Sequence, residues 1–157
     1  MNRVSSRLLL PAEIFFRVDY SVAVYPSWVI ERMHPEFDRV DTVEYRLSSV
    51  SVWIHPAQER GVIGGRALYQ YIRENDILPT CLALRDLEEI QKLGIGVFRW
   101  YFGGRAIFAW KAVVRLRGTT FHVPYLVERN NRLEIDWHWL GEDWNARLIA
   151  GHFESEL

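Results

Sequence analysis

Residues 106–140 read AIFAWKAVVRLRGTTFHVPYLVERNNRLEIDWHWL. Three segments inside this stretch, 106–116, 121–127 and 133–140, place apolar residues at alternate positions. A period of two is the mark of a strand with two unlike faces. Phe108, Trp110, Ala112, Val114 and Leu116 share a face in the first segment. Phe121, Val123, Tyr125 and Val127 do so in the second, and Leu133, Ile135, Trp137 and Trp139 in the third. The pattern predicts a three-stranded antiparallel meander with one strongly aromatic face.

Register follows from the connections. A two-residue turn at Gly118-Thr119 sets Leu116 opposite Phe121, Val114 beside Val123, Ala112 beside Tyr125 and Trp110 beside Val127. Asparagine tolerates positive φ, so Asn130-Asn131 also suits a two-residue turn. That turn, however, sets Val127, Tyr125 and Val123 against Glu134, Asp136 and His138. A three-residue loop, 130–132, or a five-residue loop of the same parity, pairs Val127 with Ile135, Tyr125 with Trp137 and Val123 with Trp139. The odd loop is therefore expected. Pro124 has no N–H to give a ladder, which predicts a local defect in the middle strand.

Upstream, alternation around Val18, Tyr20, Val22 and Val24 predicts a strand over 14–24, and Ser27 can cap a short helix through Met33. Residues 42–54 read as a strand whose apolar parity changes at Ser48-Ser49, the sign of a bulge, and Trp53 then faces a second layer or a pocket rim. The glycines at 61, 64 and 65 make a loop without the spacing or lysine of a phosphate cradle. Helices are expected over 66–75, over 81–93 (stopped at Gly94), and over a short stretch before Gly103-Gly104. The expected fold is α+β: a single domain over 1–157, mainly antiparallel sheet with a C-terminal three-stranded meander and two to three helices packed on one face.

The chain has 157 residues, 49% hydrophobic and 25% charged, with a net charge of -1. This composition is globular and gives no long-range attraction for a polyanion, so nucleic acid is not an expected partner. One cysteine, Cys81, excludes an internal disulfide and a multi-cysteine metal site. No apolar run reaches membrane-spanning length and Met1–Leu10 lacks a leader pattern, so a cytoplasmic location without a membrane partner is expected. No cofactor signature occurs.

Two constellations carry chemistry. Glu134, Asp136 and His138 line the reverse face of the third strand, with His122 diagonal to His138. Two imidazoles and a carboxylate suit proton exchange near neutral pH or metal ligation, although the wet face of an antiparallel sheet is the simpler account. His122, Asp136 and His138 are thus the catalytic candidates. Seven tryptophans are many for this length. Trp137, Trp139 and Trp144, with Arg115 and Arg117, form the candidate binding set. Trp144 is expected to stay partly exposed, because Gly141, Glu142, Asp143 and Asn145 surround it. Cys81, at an expected helix start, is a weaker nucleophile candidate.

The aromatic excess, the near-neutral charge and the missing catalytic signatures lean away from an enzyme. They point to a small soluble accessory protein that recognises another protein, or its own copies, through aromatic and arginine side chains. The alternative is a small enzyme or ligand-binding protein with its site at His122, Asp136 and His138.

Overall fold

The computed structural model describes residues 13–22, 25–118 and 120–154. Met1–Leu10, the end of the expected first strand at 23–24, and Thr119 of the expected turn lie outside the described residues. The fold is α+β. Its strands are β1 (Phe15–Asp19), β2 (Glu31–Arg32), β3 (Thr42–Arg46), β4 (Val50–Trp53), β5 (Ile63–Gly64), β6 (Ala106–Phe108), β7 (Val114–Arg115), β8 (Phe121–Arg129), β9 (Arg132–Trp139), β10 (Asp143–Trp144) and β11 (Leu148–Phe153). Its helices are α1 (Pro56–Arg60), α2 (Gly65–Glu74), α3 (Leu84–Gln91) and α4 (Ile95–Phe102). Among the described residues no helix is long and apolar enough to cross a membrane.

The meander is present, with its first strand broken. β6 pairs with β8 through Ile107–Leu126 and Phe108–Tyr125, and β7 pairs with it through Val114–His122 and Arg115–Phe121. Between them a 3-10 turn, Trp110–Ala112, interrupts the strand. This corrects the continuous register that set Val114 beside Val123. The break sits opposite Pro124, whose carbonyl accepts from the Ala109 N–H at 3.0 Å. A proline lacks the donor that a continuous ladder would use there. The expected defect at Pro124 takes this form.

The second hairpin overturns the odd-loop expectation. β9 runs along β8 with Arg129 facing Arg132, so the turn is the two residues Asn130 and Asn131, at φ 52° and 60°. Val127 therefore faces Glu134, Tyr125 faces Asp136 and Val123 faces His138. The expectation failed because it assumed a sheet buried on one face. Both faces are covered. Ile107, Leu126 and Ile149 pack with Leu87, Ile90, Phe98 and Phe102 from α3 and α4 on one side. Phe108, Val123, Tyr125 and Ala150 pack with Leu68, Tyr69 and Ile72 of α2, and with Trp144, on the other. A strand buried on both sides places apolar residues at either parity, so parity no longer chooses the register.

β11 completes the sheet, parallel to β6 and antiparallel to β4. The parity change at Ser48-Ser49 is a 3-10 turn, Leu47–Ser49, that sends β3 and β4 into different sheets. Among the described residues β3 pairs with β1 alone, and β5 with β10. Trp53 covers a second layer, stacked on Tyr71 of α2 at 5.8 Å. Around Ser27, where a helix was expected, the chain turns instead and enters β2, which pairs with β7. Helices α3 and α4 lie within the expected ranges, α2 is displaced by one residue from 66–75, and Gly103, at φ 66°, ends α4. The α2 start needs Gly65, because a Cβ there would overlap the Leu140 carbonyl and the Trp144 ring.

Candidate functional site

The two-residue turn redistributes the expected site residues. Asp136 bonds Arg129 (2.8 Å), and its other oxygen accepts from the Trp137 N–H (2.8 Å). It does not orient a histidine. His138 turns inward to the core, with ring centroids 4.3 Å from Trp144, 5.7 Å from Phe108 and 5.9 Å from Tyr125. Burial holds His138 below the usual histidine value, and His122 is lowered by burial and by the neighbouring His138. His122 Nδ1, His138 Nε2 and Trp144 Nε1 are buried without a hydrogen-bond partner among the described residues. Glu142 lies 3.6 Å from His138, too far for a hydrogen bond. Among the described residues no group of three or more His, Cys, Asp or Glu is placed to hold a metal.

Trp144 corrects the expectation of exposure. It is 0% exposed, because β10 pairs with β5 and lays the ring against Phe108, Trp110 and Gly65. Trp137 is half-buried, edge-on to Trp28 at 5.1 Å and 6.5 Å from Tyr25. Trp139 and Trp28 are exposed at 45% and 42%. Arg115 pairs with Glu31 (2.9 Å), and Arg117 is exposed. Cys81 precedes α3 rather than starting it and is buried; burial pushes its thiol up to about 12, which makes it inert.

A concave feature lies elsewhere among the described residues. A cleft of about 820 Å³ opens between the turn after β1, the 25–40 segment, the start of α3 and the end of β11. Tyr20, Tyr25, Phe37, Tyr45 and Phe153 line it, together with Arg32, Arg39, Arg85, Asp86 and Lys111. Asp86 is 2% exposed and stands in the first turn of α3. One oxygen accepts from the Ala83 N–H (2.7 Å) and so caps the helix; the other accepts from the Tyr20 hydroxyl (2.6 Å), which itself accepts from Tyr45 (2.7 Å). Burial raises the Asp86 pKa despite these two donors, and burial followed by the Asp86 charge raises that of Tyr20.

Lys111 enters from the strand break. Trp110 and Ala112 on either side are buried, and the Lys111 N–H donates to the Leu82 carbonyl (3.2 Å). Its ammonium lies 5.1 Å from the centroid of Phe37. The 3-10 turn thus points the only charged side chain of the apolar run 106–114 into the cleft.

Neither Asp86 nor Lys111 was singled out in the sequence as a cleft residue. In the sequence Asp86 reads as a solvated helix position, and Lys111 as one of five basic residues (Arg99, Arg105, Lys111, Arg115 and Arg117) on a solvated face of mixed sign. The available signal was that lone charge inside a doubly buried run, since a strand of this kind tolerates a charge only where it has an exit or a partner. Of that set, Arg99 bonds Glu128 and Arg105 the Phe102 carbonyl. No protein-family model, characterised protein or solved structure matches the chain.

Proposed function

We propose that the protein is a recognition module that binds a segment of a partner protein across the cleft. The observation that carries this reading is the continuity of the cleft with the exposed aromatic surface. Ile30 lines the cleft and is 59% exposed. Tyr25, also in the lining, contacts Trp137, and Trp137 contacts the exposed Trp28. A volume of about 820 Å³ suits a few peptide residues. Tyrosine, tryptophan and arginine are the side chains that dominate binding energy at protein interfaces. The aromatic and arginine recognition expected from the sequence is retained, and its centre moves from Trp144 and Arg117 to the cleft and its rim.

A free sheet edge is a weaker basis for recognition here. A two-residue turn closes on a hydrogen-bonded pair, so the backbone amides of 133, 135, 137 and 139 face out of β9. The Trp137 N–H is taken by Asp136, and the Leu133 carbonyl by the Gln91 side chain (2.9 Å). Such capping blunts strand addition.

The test is selection of a random heptapeptide library on the immobilised protein. Selected peptides are expected to lose about tenfold or more in affinity on the double variant Trp28→Ala, Ile30→Ala, since rim anchors of this type contribute 1 kcal/mol or more each. Both residues are exposed, so the fold survives the change. Peptides that bind the double variant as well as the wild type would show that the cleft and its rim are not the recognition surface.

A further inference from the structure

We infer that Lys111 receives a carboxylate of the bound segment, so that the partner segment is acidic. The inference rests on the reading of the cleft as the recognition site and names the chemistry of its occupant.

Four cations line the cleft, and three are already paired. Arg32 bonds Asp38 in a bidentate pair (2.8 and 2.9 Å), Arg39 bonds Asp41 in the same way (2.6 Å for both contacts), and Arg85 spans Glu88 and Glu89 (3.1 and 2.9 Å). Lys111 has no ion pair and no side-chain hydrogen bond among the described residues; its ring contact with Phe37 is its one close partner. Asp86, the acid whose charge acts on Lys111, has both oxygens engaged by Tyr20 and Ala83.

Placement makes this unpaired ammonium a receptor rather than a stray charge. The 3-10 turn, the bond to the Leu82 carbonyl and the buried neighbours on both sides fix its backbone, and its ammonium stands over the Phe37 ring. An ammonium held in a half-buried wall lacks part of its hydration, and burial accordingly lowers the Lys111 pKa, opposed by Asp86. An incoming carboxylate restores what burial removed, whereas an amide in the same place does so only in part. A site built around an unmet charge discriminates strongly against the isostere that cannot meet it. Tyr25, Tyr45, Phe37 and Phe153 offer apolar surface for the residues flanking that acid.

The experiment uses the full chain and the heptapeptides selected above, N-acetylated and made with either an amidated or a free C-terminus. The expected result is an enriched Asp or Glu at one position, whose change to Asn or Gln costs about tenfold or more on the wild type and little on Lys111→Met. If the amidated peptides lose binding and the free ones keep it, the carboxylate received is the C-terminal one. Lys111→Met preserves the length of the stem, and its melting curve checks the fold.

A second readout needs no variant. The chain has two lysines, and Lys92 pairs with Glu89 (2.7 Å). In protein labelled with nitrogen-15 lysine, the Lys111 ammonium signal shifts on titration with the acidic peptide and stays in place with its amide counterpart. Peptides that need Trp28 and Ile30 but carry no required carboxylate, or an acid whose removal costs the same on Lys111→Met as on the wild type, would overturn the inference and leave cleft recognition standing. A library that yields no peptide dependent on the cleft would overturn both.

Discussion

At the scale of single residues, the polar groups buried in this protein divide into those that are satisfied and those that are not. Asp86 is satisfied by Tyr20 and Ala83. Removing the Tyr20 hydroxyl leaves its oxygen buried and unmet, so Tyr20→Phe is expected to cost about 1–3 kcal/mol in denaturant unfolding. His138 is the opposite case, ringed by aromatic side chains with its Nε2 unpartnered. Burial depresses its pKa below the usual 6.5. A histidine kept neutral in the fold contributes its stability above pH 6.5 and loses it as pH falls through the depressed folded value. His138→Phe removes this group, so its stability relative to the wild type is expected to rise as unfolding is measured from pH 7.5 down to about pH 5. A difference that does not change across that window would mean that His138 is not held neutral.

At the scale of elements, the β8–β9 hairpin shows a local signal prevailing over a pattern. Asn130 and Asn131 both occupy left-handed backbone, which a side chain branched at Cβ resists. Asn130→Val is expected to lower stability by about 1–2 kcal/mol, and Asn130→Gly to be neutral or to add a few tenths. Equal stability of the two variants would argue against the two-residue turn. The broken strand between β6 and β7 is the other informative element. Its alternation, Phe108, Trp110, Ala112, Val114, reads as one strand, and Pro124 supplies the reason it is two. The interruption is also what carries Lys111 out of the sheet and into the cleft.

At the scale of the whole molecule, a sheet covered on both faces leaves β9 as a long edge, paired on one side only. Its outward backbone is capped by Asp136 and by Gln91. The double variant Asp136→Ala, Gln91→Ala is expected to open that edge and to raise the average mass with concentration in sedimentation, while the wild type does so less. If both behave alike, the two side chains do not guard the edge.

Turns, breaks and helix limits were legible along the chain because each is caused by neighbouring residues. Gly103 ends a helix and Pro124 breaks a ladder, as read; Asn130-Asn131 gave the right turn signal, which the parity argument overrode, and Ser48-Ser49 marks a change of sheet where a bulge was expected. What could not be read was which side of each strand meets which layer. Burial belongs to three-dimensional neighbours: β11, from the far end of the chain, lies between β6 and β4, and α3 and α4 cover the face of β6 and β8 that parity assigned to water. The two-residue turn places His138 on the other buried face, beside Val123 and Trp144. The same assembly brings Tyr20, Asp86 and Lys111 to one cleft from three separate parts of the sequence, and no local preference encodes such a meeting.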